Sequence, residues 1–253
     1  VHDEGAVAEE HAGPAASGVD VVELGQELGG RLHAVNGVGE DPNGRFGFGL
    51  THPSDCHVYV IDGGTEAAII DAGAGLGREG VLARLDRSGV RRDRVRSLFV
   101  THAHADHAGG AAGLRATLRL AIHASSDVAA ILRAGDEAGA SVTVGKAQGS
   151  YAPEYTYEAT TVDSELRDGQ RVTIGDLEVE AIATPGHATG HMAYLVHASD
   201  RADLFTGDTL LFGGVIILQD TWDCDIRAHV ASLRRLATHP HDGFFPGHLT
   251  FSV

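Results

Sequence analysis

The feature that most constrains this chain is the run Thr101-His102-Ala-His104-Ala-Asp106-His107-Ala-Gly109-Gly110, placed directly behind the apolar stretch Leu98-Phe99-Val100. Three histidines and one aspartate fall within six positions, spaced by alanines too small to block access. Neutral imidazole and carboxylate are the preferred ligands of zinc and related divalent cations. Where the strand opens into a loop, His102 and His104 can point one way while Asp106 and His107 turn towards a neighbouring point. That geometry suits two cations close together.

One loop cannot fill two coordination shells, so further ligands are expected at other strand ends. Three positions have the right character. His187 ends the turn Thr184-Pro-Gly-His187, Asp208 lies in Phe205-Thr-Gly-Asp208-Thr209, and His248 closes Phe244-Phe-Pro-Gly-His248. Each follows an apolar run and a glycine, whose conformational freedom lets the backbone turn sharply towards a site.

Around these motifs the chain reads as alternating short β-rich runs and helical patterns. Strands are expected at 19–24, 31–35, 57–61, 67–71, 97–101, 118–123, 171–174, 177–183, 193–196 and 204–206, and helices at 77–88, 108–116, 126–134 and 226–238. The last helix has Asp225 as N-cap and Ile226, Val230, Leu233 and Leu236 along one face. The pattern predicts an α/β (α+β) layered domain over 19–253 behind a tail at 1–18. The stretches 37–56 and 135–160 resist assignment. They carry Phe46, Phe48, Tyr151, Tyr155 and Tyr157, expected to wall the site and set specificity.

Composition excludes several classes. With 253 residues, 43% hydrophobic and 21% charged, the chain is an ordinary globular one. A formal charge of −16 repels phosphate backbones and anionic lipid, so neither nucleic acid nor membrane is an expected partner. No apolar run approaches the ~20 residues of a membrane helix. The acidic start, from Val1, has no signal-peptide pattern. Cys56 and Cys224 form no disulfide framework and read as small core or loop residues, compatible with a cytoplasmic location. Among the other histidines, His191 reads as a packed neighbour of the site and His57 as a strand residue. His239 and His241 read as surface residues, and His2 and His11 belong to the tail.

Taken in order, Ile70-Asp71-Ala-Gly73, the His102–His107 cluster, Thr184–His191, Phe205–Thr209 and Pro246-Gly247-His248 resemble the motifs of the metallo-β-lactamase-fold hydrolases, over Cys56 to His248. The resemblance implies a four-layer αβ/βα sandwich with two metal ions where two sheets meet. It assigns His102, His104 and His187 to one ion, Asp106, His107 and His248 to the other, and Asp208 to both. Zinc is the leading candidate, with iron or manganese also compatible. Asp71 resembles the acid that orients a ligand histidine in these enzymes. The implied chemistry is attack by a hydroxide shared between the metals, with Asp106 holding it in line and shuttling its proton.

Details of the pattern narrow the substrate. An aspartate at 208 is unlike dizinc β-lactamases, and a histidine at 104 is unlike diiron oxygen reductases. The charge and the lack of a basic stripe argue against RNA. Residues 205–214 resemble the glyoxalase-II-type thioesterases, without their basic glutathione-gripping segment. Leu211 stands where acyl-homoserine lactonases carry tyrosine. The expectation is therefore a hydrolase of a small-molecule ester, lactone or thioester, with a homodimer as a possible assembly. A mononuclear iron persulfide dioxygenase and a phosphodiesterase of the same fold are the alternatives. Only five residues follow His248, where these enzymes usually continue into a terminal helix.

Overall fold

Alternation of apolar side chains with period two governs the two sheets, because successive strand residues face opposite sides. In the computed structural model, which describes residues 32–36, 51–249 and 251–252, β1 (Leu32–Asn36), β2 (Val58–Asp62), β3 (Ala67–Ile70), β4 (Val95–Phe99), β5 (Ala121–Ser125) and β6 (Ser164–Leu166) form one sheet in sequential order. The first three strands are antiparallel, and β3 to β6 run parallel. β7 (Arg171–Ile174), β8 (Leu177–Ala183), β9 (Met192–His197), β10 (Ala202–Gly207) and β11 (Gly243–Pro246) form the second, with β10 and β11 parallel and the rest antiparallel.

Burial on both faces gives four layers. Val58, Val60 and Ile69 face an outer core shared with the helices, while Tyr59, Ile61 and Ile70 face an inner core. Across that inner core Val179, Tyr194, Phe205 and Phe245 project from the second sheet. The outer helices are α1 (Arg78–Arg87), α2 (Ala105–Ala108), α3 (Ala111–Leu118), α4 (Ser126–Ala134) and α5 (Val142–Gln148). On the far side, α6 (Ile226–Leu236) sets Leu236 against Ile182, Leu195 and Leu204. This helix–sheet–sheet–helix order is the expected sandwich.

The local differences have physical reasons. The helix expected over 108–116 is two helices, broken at Gly109-Gly110, where the Gly110 amide donates to Gly73 O at 2.8 Å in the neighbouring loop. The stretch 135–160 contains α5, and β6 is a short strand without enough residues to show a period. The apolar face expected on α6 is only partly its buried face. Leu236 is buried as expected, but Ile226 is 58% exposed and Val230 is also exposed, and the helix buries His229 and Ser232 beside Leu236. Polar anchoring decides this orientation. His229 Nε2 donates to Thr209 O at 2.6 Å and Ser232 Oγ to Pro185 O at 2.7 Å. The tail at 1–18, the strand expected at 19–24, Phe46 and Phe48 lie outside the described residues.

Candidate metal centre

Strand direction assembles the site. β8, β10 and β11 point the same way, so His187, Asp208 and His248 emerge at one edge of the second sheet. The His102–His107 loop follows β4 in the first sheet. Two hydrogen bonds hold the edges together: Tyr194 Oη donates to Val100 O at 2.7 Å and Met192 N to Thr101 O at 2.8 Å. All seven residues expected to bind metal meet there.

Their donor atoms form overlapping groups. Ligand atoms of His102, His104 and His187 lie within 4.8 Å of one another, as do those of Asp106, His107 and His248, and of His102, His107 and Asp208. The Asp208 carboxylate is shared: Oδ1 is 3.3 Å from His107 Nε2, and Oδ2 is 3.4 Å from His248 Nε2 and 3.7 Å from His187 Nε2. Close approach by backbone makes room. A side chain at Gly247 would place its Cβ 2.3 Å from Asp208 Oδ1, and Gly207 adopts φ +49° with His191 Nε2 2.7 Å from the same hypothetical atom.

The surroundings orient the imidazoles. Asp71, itself at φ +59°, accepts from Thr101 N at 2.8 Å, from Thr101 Oγ1 at 2.9 Å and from His107 Nδ1 at 2.8 Å. Because the Thr101 hydroxyl is spent on Asp71, it accepts from His102 Nδ1 at 3.0 Å. Both histidines therefore present Nε2 to the centre. Ile217 O accepts from His187 Nδ1 at 3.2 Å, with the same effect. His104 is reversed: its Nδ1 is 3.2 Å from His187 Nε2, and its Nε2 faces Asp223 Oδ2 at 3.4 Å. His191 accepts from Asp208 N at 3.2 Å and contacts Thr184 Oγ1 at 2.9 Å, a packed neighbour as expected.

The donor set fits divalent cations. His102 Nε2 and Asp208 Oδ1 are buried without a hydrogen-bond partner, which is costly unless something else occupies them. Burial and the adjacent histidines hold His102 well below the ordinary imidazole pKa; burial lowers His187 to about 4, so both stay neutral and able to coordinate. Burial opposes ionisation of Asp106, but His107 and His248 outweigh it and hold the carboxyl near 2. The reciprocal effect overcomes burial at His248, raised to about 10 by Asp208 and Asp106.

A cavity of ≈ 630 Å³ opens over this centre, lined by His104, Asp106, His248, Val144, Tyr151 and Asp220 among others. Tyr151 thus takes the walling position expected of it. Tyr155 and Tyr157 do not: their hydroxyls donate inward to Ala74 O at 2.9 Å and Ala103 O at 3.0 Å, since a buried phenol needs an acceptor. His57 points to Pro246 O and Tyr59, Cys56 is buried beside Asp71 and His107, and Cys224 is half-buried. Asp223 escaped the sequence reading because no motif surrounds it; its proximity to the cap residue Asp225 was the only cue.

The four-layer sandwich thus carries a histidine–aspartate cluster at the edge where its two sheets meet. The sequence pattern of the metallo-beta-lactamase superfamily matches residues 52–248, and the chain belongs to that superfamily. The chain is 28% identical over 193 residues to an atrochrysone carboxyl ACP thioesterase of Aspergillus fumigatus, covering 76% of this chain and 50% of that protein. It is 29% identical to the bovine (Bos taurus) acyl-coenzyme A thioesterase MBLAC2, covering 63% and 60%, and 30% identical to a Neisseria meningitidis hydroxyacylglutathione hydrolase, covering 64% and 50%. The chain thus spans half to three-fifths of the length of these relatives. In fold it is similar to a Cronobacter sakazakii metallo-beta-lactamase, with TM-score 0.63 and 24% identity, covering 77% of this chain and 72% of that one. FEZ-1 of Legionella gormanii gives TM-score 0.63 and 20% identity, covering 86% and 76%. Among the described residues, no helix is long and apolar enough to cross a membrane.

Proposed function

We propose that this protein hydrolyses a small-molecule thioester or ester at a two-metal centre held by His102, His104, Asp106, His107, His187, Asp208 and His248, with zinc the leading candidate. The observation that carries the reading is the position of Asp208, whose two oxygens face ligand histidines of both groups. When bound, the cations supply Lewis acidity towards the substrate carbonyl and towards water. Asp106 lines the cavity with its side chain 28% exposed, so its carboxylate can take a proton from the attacking water. The acyl–sulfur or acyl–oxygen bond breaks as the acyl–oxygen bond to water forms, and Asp106 returns the proton to the leaving group. Asp71 and Thr101 keep His102 and His107 in the required tautomer throughout. The thioesterase and hydroxyacylglutathione hydrolase names of the relatives favour the thioester over the lactone.

Metal analysis and a panel of thioesters, lactones, aryl esters and phosphodiesters on one sample test this. Two divalent ions per chain with turnover of a thioester or ester support it. A single iron with oxygen consumption on persulfides, or turnover of phosphodiesters alone, overturns it. Asp208→Ala is expected to lower the metal content and to abolish turnover.

A further inference from the structure

We infer that Asp223 is a positioning residue for one metal subsite: resting on the two-metal reading above, its carboxylate holds the His104 imidazole with Nδ1, and not Nε2, towards the centre. An imidazole coordinates through the nitrogen that lacks a proton, so the partner of the other nitrogen decides the ligand atom. In three candidate ligands Nδ1 is already committed to an acceptor: His107 to Asp71, His102 to Thr101 and His187 to Ile217 O. These three present Nε2. His104 is the exception, with Nδ1 3.2 Å from His187 Nε2 inside the cluster and Nε2 turned to Asp223 Oδ2 at 3.4 Å.

Burial gives that contact its weight. The side chains of His104 and Asp223 are 6% and 3% exposed, and among the described residues no lysine or arginine pairs with Asp223. His104 Nε2 and Asp223 Oδ1 are both buried without a hydrogen-bond partner. An ionised carboxylate accepts and cannot donate, so it favours neutral His104 with the proton on Nε2, which leaves the Nδ1 lone pair for a cation. A cation at Nδ1 polarises the ring and strengthens Nε2–H as a donor, which offsets the burial of both groups. The placement of Asp223 is built in. Ile217 O accepts from His187 Nδ1 at 3.2 Å, Asp225 N donates to Gly186 O at 2.8 Å, and Thr189 N donates to Asp223 Oδ2 at 3.4 Å. One segment, 217–225, therefore supports both His187 and His104, two of the three histidines of one group, whereas Asp71 serves His107 in the other.

The test is the pair of stepwise zinc affinities of the full chain, measured by competition with a chromophoric chelator. Asp223→Ala is expected to weaken one constant by about 10- to 100-fold, the usual cost of losing the group that orients a ligand, and to leave the other within about threefold. Asp223→Asn has the same shape but can donate as well as accept, so it should weaken the same constant by about fivefold or more. Far-ultraviolet circular dichroism checks the fold of both variants, and the isosteric Asn variant carries the test if the Ala variant does not fold. A second readout is long-range proton–nitrogen NMR of the assigned histidines in zinc-loaded protein. His104 should carry its proton on Nε2 in the wild type and lose that slowly exchanging proton in Asp223→Ala, a change that a merely structural role would not produce. Two constants that stay unchanged, or that fall equally, overturn the inference and leave the two-metal reading standing. A wild-type His104 protonated on Nδ1 overturns the inference as well. Wild-type protein that binds one zinc ion or none overturns the two-metal reading itself.

Discussion

Asp106 and Asp208 are both carboxylates at one centre, and exposure separates their tasks. The Asp208 side chain is 4% exposed and enclosed by imidazoles, whereas that of Asp106 is 28% exposed towards the cavity. Asp106→Asn should lower kcat by at least about 100-fold, the usual reach of a positioned proton carrier. Metal content at His102, His104 and His187 should be retained, as elemental analysis of the variant will show; activity within about tenfold of wild type would remove Asp106 from the mechanism. His123 gives a pH prediction away from the centre. Burial lowers its pKa from 6.5, and it stacks on Phe99 with ring centroids 4.7 Å apart. A proton bound below pH 6.5 then favours the unfolded chain, so its contribution is complete above that pH and lost as the pH falls. His123→Gln should therefore lose less stability than wild type between pH 7 and pH 5, measured as urea midpoints. An equal loss in both proteins would exclude His123 as a source of acid sensitivity.

At the scale of elements, strand direction and helix anchoring matter more than apolar patterning. Three strands running the same way deliver His187, Asp208 and His248 to one edge, a result no single strand contains. Helix α6 shows the opposite case, where a legible pattern misleads. Its Asp225 cap was readable, and Asp225 Oδ1 accepts from Arg227 N at 2.8 Å and from Ala228 N at 3.0 Å. Its apolar positions were equally readable, yet His229 and Ser232 face inward because carbonyls of the Thr184–His187 and Phe205–Thr209 loops need donors there. Asp225→Ala should cost about 1 kcal/mol in chemical unfolding. A cost near zero would show that Gly186 O, which accepts from Asp225 N at 2.8 Å, holds the helix start without the side chain.

At the scale of the molecule, the centre joins two sheets, so its occupancy should be felt by the whole fold. His102 Nε2 and Asp208 Oδ1 are buried without hydrogen-bond partners. Cations that bind only the folded chain stabilise it by mass action, about 2.7 kcal/mol at a free concentration 100 times Kd. Chelation is therefore expected to lower Tm by about 5–10 °C, and added zinc to restore it. A Tm indifferent to chelator in protein shown to lose its metal would place the ions outside the folded framework.

Much of this was legible in one dimension. The layered α/β class followed from alternating strand and helix patterns and the histidine cluster from the close spacing of its donors, because both are set by near neighbours in the chain. The four-layer sandwich came from the resemblance of the ordered motifs. Contacts between distant segments were decided only in three dimensions. The reversal of His104 towards Asp223 and the inward turn of Tyr155 and Tyr157 depend on how two sheets and their loops close on each other. Side-chain direction at such places is set by which buried carbonyl, carboxylate or imidazole lies across the interface, and that partner is a product of the folded packing.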